Sequence, residues 1–161
     1  KSPFTLETNN PDALSLVVTG FLSAGLLYFV ILLEIDHYEG KETVLFRKRV
    51  EQGYSFATVI RHSVHHSPVF EYYSIDANGG IVLTETRLQD LGWGVPSSFR
   101  EHCRFQDNFL IIEAINRPIG FIPFRVSHMT GPYLLLDDGY RRIDLATIVE
   151  DGERVDIRTR R

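Results

Sequence analysis

The feature that most constrains this chain is a succession of short apolar runs after Asp36, each ended by residues that favour turns. The runs are four to eight residues long and are separated by segments such as Asp-Ala-Asn-Gly-Gly at 76–80. This spacing is typical of antiparallel sandwiches and barrels. We therefore predict an all-β domain, an antiparallel β-sandwich or a partly open barrel. Its strands are expected within residues 43–49, 55–62, 69–75, 81–87, 109–115, 121–126, 133–136 and 155–159.

The sharpest local prediction is a β-hairpin over residues 69–87. Asn78-Gly79-Gly80 offers positions that accept positive φ angles between two strand-like runs, which is the usual signal for a tight hairpin turn. Two other segments are less distinctive. Residues 141–155 fit either a helical turn or two or an irregular strand, and residues 154–161 alternate like a half-buried edge strand with a solvated basic end.

An uncharged run at residues 13–33 stands apart from the strands. Of its 21 positions, 18 are apolar or Gly, and a membrane-spanning helix needs about 20 such residues. We predict an N-terminal flank at 1–12, an apolar, transmembrane anchor helix in contact with membrane lipid at 13–33, and one β domain at 34–161. Two alternatives remain. Gly20 and Gly25 break the run and leave 26–37 as a buried strand, or a helix ending near Val30 passes directly into a strand at 32–38.

Charge and cysteine content narrow the function classes. The formal net charge is −4 and the isoelectric point is about 5.9, so the overall charge gives no electrostatic reason to expect a nucleic-acid partner. The single cysteine, Cys103, cannot form an internal disulfide. A chain of 161 residues has room for one ordinary core and a short appendage.

The densest polar cluster covers residues 61–71 and admits three interpretations. In a strand, His62 and His66 would point the same way and bind a metal ion with Glu71 or Glu85. In a hydrolase, Ser63 or Ser67 would be the nucleophile and a histidine the base, although the chain has no Gly-x-Ser-x-Gly motif. In the third, the groups brace a turn and line a polar pocket for a small anionic or hydroxylated ligand. We favour the third interpretation.

A second constellation is the loop at 91–96, in which two glycines flank the only tryptophan. It completes no phosphate-binding motif, and Trp93 is expected either to fill the core or to form an exposed aromatic platform. We assign no catalytic residue, no metal ligand and no cofactor. The candidate ligand-binding residues are His62, Ser63, His66, Glu71, Glu85, Gly92, Trp93, Gly94 and Pro96.

The order of these motifs resembles domain-of-unknown-function family 1850 from about residue 32 to the end of the chain. The elements that carry the resemblance are Leu33-Glu34-Ile35, Gln52-Gly53, His62-Ser63-Val64, Ser67-Pro68-Val69, Glu71, Thr84-Glu85-Thr86-Arg87, Gly92-Trp93-Gly94-Val95-Pro96 and Asn116-Arg117-Pro118. Two features depart from the family pattern. Trp93 stands where the family has a small residue, and His65-His66 enriches the histidine cluster.

The resemblance implies an extracytoplasmic domain associated with TRAP transporters of the TAXI type, and it implies no catalytic residue. We therefore expect a membrane-anchored accessory or recognition domain on the extracytoplasmic side. Its expected partners are transporter subunits or a solute-binding protein, and a small carboxylate or amino acid. The alternative is a stand-alone small-ligand-binding β module. A metal-assisted or serine hydrolase centred on residues 62–71 is the third option.

Overall fold

The computed structural model describes residues 31–39, 41–62, 66–89 and 102–161, and these form two antiparallel sheets. The strands are β1 (Ile31–Glu39), β2 (Lys41–Val50), β3 (Ser55–Arg61), β4 (Pro68–Ile75), β5 (Ile81–Leu88), β6 (Cys103–Gln106), β7 (Phe109–Ile112), β8 (Arg117–Ile119), β9 (Ile122–Arg125), β10 (Tyr133–Leu136), β11 (Arg141–Asp144) and β12 (Arg154–Arg160). Two short 3-10 turns follow β10 and β11, at Asp137–Gly139 and Leu145–Thr147. The predicted all-β, antiparallel fold is confirmed.

The smaller sheet has the strand order β2-β1-β12-β9, and the larger has the order β11-β10-β3-β4-β5-β7-β6, with β8 also paired to β5. Alternate residues of both sheets meet in one hydrophobic core. Within it, the rings of Phe56 and Tyr73 stack with centroids 5.2 Å apart. Fully buried members of the core include Leu33, Ile35, Val155 and Ile157 from the smaller sheet and Leu134 and Leu136 from the larger.

The predicted hairpin at 69–87 is present as β4 and β5. The Asp76 carboxylate accepts hydrogen bonds from the backbone N–H groups of Asn78 and Gly80, both at 2.7 Å, and Gly79 takes a φ of 71°. The Thr159 hydroxyl donates to the Gly79 carbonyl at 2.6 Å. The turn is therefore shaped by its own residues and held against β12.

The prediction that the C-terminal strand lies at a sheet edge is wrong. β12 pairs with β1 on one side and with β9 on the other, so it is an interior strand. Its arginines face carboxylates that are removed from solvent. Arg160 Nε lies 2.7 Å from Glu34 Oε2, and Arg158 Nε lies 2.9 Å from Asp36 Oδ2, while both acidic side chains are fully buried. The basic end is thus part of an ion-pair cluster.

The segment at 141–155 combines both alternatives that its pattern allowed. It begins as strand β11, continues into a single 3-10 turn at Leu145–Thr147, and reaches β12 after a tight turn. In that 3-10 turn, the Asp144 carboxylate caps the backbone N–H of Ala146. Two strands were not expected from the sequence: β6 and β8.

Strand β1 begins at Ile31, inside the apolar run at 13–33. The rest of that run and the flank at 1–12 lie outside the described residues. Among the residues that the structure describes, no helix has the length and apolar character that a membrane span requires.

Candidate functional site

The outer face of the larger sheet, turned away from the core, is apolar and aromatic at its centre. Cross-strand pairing places Tyr133 beside Val59, and Leu135 and Tyr72 beside Ala57. Val59 and Ala57 are only 2% and 3% exposed although they point away from the core. Because the outer face of an antiparallel sheet usually carries polar residues, these buried apolar side chains show that neighbouring groups cover this face, and the cavities between those groups are candidate binding sites.

A cavity of about 270 Å³ lies on this face where β3 ends. We name it the basic cavity, because Arg61, His128 and Arg142 line it together with Tyr133 and Asp144. Its volume is close to the lower limit of about 300 Å³ for small-molecule sites. A ligand held there would meet positive charge beside an aromatic ring.

The pairing of β10 with β11 fixes Arg142. Tyr133 pairs with Asp144, and Leu135 pairs with Arg142, so all four side chains share the outer face. The guanidinium carbon of Arg142 lies 3.6 Å from the Tyr133 ring centroid, and its Nη2 donates to Asp144 Oδ2 at 3.0 Å. The aromatic stack and the carboxylate orient the guanidinium, which leaves fewer rotamers to be lost on binding.

The opposite wall is a loop tied to the end of β3. The backbone N–H of Arg61 donates to the Thr130 carbonyl at 2.8 Å, and the N–H of Gly131 donates to the Ser127 carbonyl at 2.8 Å. The backbone N–H of His128 donates to the Asp151 carboxylate at 2.7 Å. These bonds hold the loop over the cavity, and the φ of 49° at Gly131 closes its turn.

The groups at this site suit binding of an anion. Arg61 and Arg142 offer planar forks of N–H donors, which match the two oxygens of a carboxylate. Asp144 contributes one negative charge, and Arg142 already engages it. The basic cavity therefore has an excess of donors over acceptors.

The predicted histidines lie in the connection between β3 and β4 and not in a strand. The backbone N–H of His62 donates to the Ser67 carbonyl at 2.8 Å, and that of His66 donates to the His62 carbonyl at 2.9 Å. His66 is exposed and has a φ of 56°. The same-face geometry expected of His62 and His66 in a strand therefore does not apply, although the connection adjoins the basic cavity through Arg61 and Pro68.

Glu71 and Glu85 lie on opposite faces of the larger sheet. Glu71 is on the core side, where it accepts a hydrogen bond from the Tyr73 hydroxyl at 2.8 Å. Burial is the main cause of the raised pKa of Tyr73, and the negative charge of the neighbouring Glu71 carboxylate raises it further. Glu85 is on the outer side and pairs with Arg87, whose guanidinium carbon lies 4.6 Å from the Tyr72 ring centroid. Neither carboxylate lines the basic cavity.

The remaining predicted residues are Ser63 in the β3–β4 connection and Gly92, Trp93, Gly94 and Pro96 in the glycine-rich loop. All five lie outside the described residues. Among the side chains that are described, no group of three His, Cys, Asp or Glu residues is arranged to hold a metal ion.

Sequence reasoning missed His128, Tyr133 and Arg142 as site residues. Arg142 stands in a segment whose pattern fitted a helical turn and a strand equally well. The sequence therefore did not show on which side of the fold the Arg142 side chain lies. The signal that was present is the pair of short runs at 133–136 and 141–144 around Asp-Asp-Gly. Read as a hairpin, these runs place Arg142 and Tyr133 on one face.

Comparison with known proteins gives one finding. The family model described as a domain of unknown function (DUF1850) matches residues 56–145, which is 90 of the 161 residues. No curated protein and no solved structure matches the chain. The matched range contains every described residue that lines the basic cavity, whereas β1, β2 and β12 lie outside it.

Proposed function

The chain belongs to the DUF1850 family, and we propose that it is a non-enzymatic recognition domain whose basic cavity binds a small carboxylate. The observation that carries this proposal is the convergence of Arg61, His128 and Arg142 on one cavity of about 270 Å³. Two guanidiniums and an imidazole hold an anion well, because hydrogen bonds to charged groups are stronger than neutral ones.

The proposed setting is the extracytoplasmic face of a membrane, as an accessory of a TAXI-type TRAP transporter. The uncharged run at 13–33, together with the transporter association that the sequence resemblance implies, supports this setting. A domain that captures a carboxylate beside an uptake system would assist either the transporter or its solute-binding protein. A stand-alone binding module would use the same cavity without these partners.

Isothermal titration of the full chain with acetate, succinate and glutamate tests the binding proposal. We expect saturable binding of at least one acid. Arg142→Gln should weaken it by about tenfold or more, since a charge-assisted hydrogen bond contributes about 1.5–3 kcal/mol. Arg104→Gln on β6 is the matched control, because Arg104 bonds Glu113 and Gln106 away from the cavity. Absence of binding by every acid in the panel would end the proposal.

The transporter setting has its own test. The detergent-solubilised chain should co-purify with epitope-tagged transporter subunits or with the solute-binding protein of the same system. The Arg142→Gln variant should still co-purify, because the cavity binds the ligand and not the partner. If neither protein co-purifies with the chain, the stand-alone binding module replaces the accessory subunit.

A further inference from the structure

A second cavity, of about 290 Å³, lies on the same outer face of the larger sheet. We name it the apolar cavity, because its walls include Ala57, Tyr72 and Leu135. Ser55 and Asp138 stand at its margin. Burial raises the pKa of Tyr72, although the nearby Arg87 opposes the change. This cavity offers mainly hydrocarbon contact, in contrast to its neighbour.

The two cavities follow one another along the same pair of strands. The cross-strand pair of Val59 and Tyr133 lines the basic cavity, and the next pair on that face, Ala57 and Leu135, lines the apolar cavity. Residues two apart in a strand are separated by roughly 6.5–7 Å. One small molecule can therefore have its charged end in one cavity and its hydrocarbon end in the other.

We propose that the ligand of this face is an amphipathic monocarboxylate, with its carboxylate at Arg61 and Arg142 and its hydrocarbon chain over Ala57 toward Tyr72. This inference rests on the proposed carboxylate-binding function and names the class of ligand. Burying the chain removes apolar surface from water, which favours binding in proportion to the area covered. A dicarboxylate is disfavoured, because its second anionic group would enter an apolar cavity that has Asp138 at its margin.

The test is a titration series of acetate, butyrate, hexanoate and octanoate against the full chain. Affinity should rise along the series by up to about fourfold for each added methylene that is buried, until the apolar cavity is filled. Hexanol and hexylamine, which have similar chains without the carboxylate, should bind more weakly than hexanoate. Succinate should bind no more tightly than acetate.

A blocking variant separates the two cavities. Ser55→Phe places a ring at the exposed margin of the apolar cavity, and it should reduce the affinity for hexanoate to about that for acetate. Thr43→Phe, at an exposed position on β2 in the other sheet, should leave the series unchanged. Circular dichroism and thermal melting establish that both variants fold.

The outcomes distinguish this inference from the proposed function. If short acids bind and Arg142→Gln weakens them, but chain length and Ser55→Phe have no effect, the amphipathic ligand is wrong and carboxylate binding stands. If hexanol binds as tightly as hexanoate, the face recognises hydrocarbon alone and the assigned ligand class is overturned. If no acid of any length binds, both proposals fail.

Discussion

The outer faces of the two sheets are built from opposite chemistry. On the smaller sheet, the outer face buries Glu34, Asp36 and Asp156 beneath arginines, and the three carboxylates are 0–3% exposed. We call this the ionic face. On the larger sheet the corresponding face has aromatic and aliphatic side chains beside two partly exposed ion pairs, Arg87–Glu85 and Arg142–Asp144, and it carries two cavities. Both faces lie opposite the same core, so the position in the fold does not determine their character.

The two faces differ in how deeply their charged side chains are buried and in which groups those side chains contact. Each buried carboxylate of the ionic face contacts two arginines; Glu34, for example, lies 2.6 Å from Arg47 and 2.7 Å from Arg160. Such pairs fix which strands are neighbours, because a slipped register leaves a buried charge without its partner. In the basic cavity, Asp144 is one-third exposed and the neighbouring arginine stacks on a ring. The ionic face therefore stabilises the fold, whereas the other face is the one for which we propose a binding role.

The largest expected effect comes from breaking the ionic face. Arg158 contacts Asp36 at 2.9 Å and Asp156 at 3.1 Å. Arg158→Met would leave two buried carboxylates with fewer cations, and we expect the free energy of unfolding to fall by about 2–3 kcal/mol. Urea unfolding at neutral pH measures it. Arg49→Met, an exposed arginine on β2, is the control and should change stability by less than about 0.5 kcal/mol.

A double variant sharpens this result. Combining Arg158→Met with Asp36→Leu removes a charge of each sign, and it should cost less than Arg158→Met alone, because one buried carboxylate no longer needs a partner. If Arg158→Met is as mild as Arg49→Met, the arginines of β12 are ordinary surface charges and the contrast between the faces disappears.

The sequence predicted the strands that carry a buried face, because those strands have a hydrophobic pattern. β3, β4, β5 and β10 were expected within a residue or two of where they lie. β6 was not, because most of its residues are exposed and its pairing depends on β7, and β11 was expected only as one of two alternatives, because half of its residues are exposed and its pairing depends on β10. One local signal was available for β6: Asp107-Asn108, both with positive φ, forms the two-residue turn to β7.

Alternation identified β12 as a strand and offered β1 only as an alternative to the anchor helix, and it misjudged the polar residues of both. A polar side chain at every second position is read as facing water. In this fold Glu34 lies opposite Arg158 of β12 and Arg47 of β2. The polar side chains of neighbouring strands therefore shield one another from water. That outcome depends on pairing between residues at the two ends of the chain, which the local pattern does not contain.

A single β-bulge determines on which face of the sheet Glu71 and Glu85 lie. Ile75 pairs with Ile81, and an unbroken hairpin continuing from that pair would place Glu71 directly opposite Glu85. The extra residue, Thr84, shifts the register so that Glu71 faces Thr86. The Thr84 hydroxyl donates a hydrogen bond to the Tyr72 carbonyl at 3.0 Å. The bulge separates two like charges that would repel, and no sequence spacing reveals it.

A smaller loss of stability should follow truncation of an aromatic side chain on the outer face of the larger sheet. The Phe70 ring lies 6.4 Å from that of Tyr72 and 5.7 Å from that of Phe109, but it is only partly buried. Phe70→Ala should lower the free energy of unfolding by about 1–2 kcal/mol, less than the loss of a fully buried ring. Phe105→Ala is the control, since Phe105 is 62% exposed. Equal effects of the two changes would mean that the aromatic contacts add nothing to stability.

The smallest expected effect lies at the junction of the two sheets. Lys48 of β2 reaches Asp137 at 2.9 Å, and the Tyr54 hydroxyl donates to the same carboxylate at 3.1 Å. The hydrogen bond from Lys48 lowers the pKa of Asp137, and burial raises the pKa of Tyr54 to about 12. The carboxylate thus stabilises the fold above its unfolded pKa, and that contribution is lost as the pH falls through its folded pKa.

Thermal melting between about pH 6 and pH 2 measures this contribution. At pH 6, Asp137→Asn should melt slightly below the unaltered chain, and the gap should close in acid because protonation removes the same charge. Asp138→Asn, at the exposed neighbouring position, should leave the fall of the melting temperature at acid pH unchanged. A gap that persists at pH 2 would mean that Asp137 acts through its shape and not its charge. The junction would then differ in kind from the ionic face, where the charges of the buried carboxylates stabilise the fold.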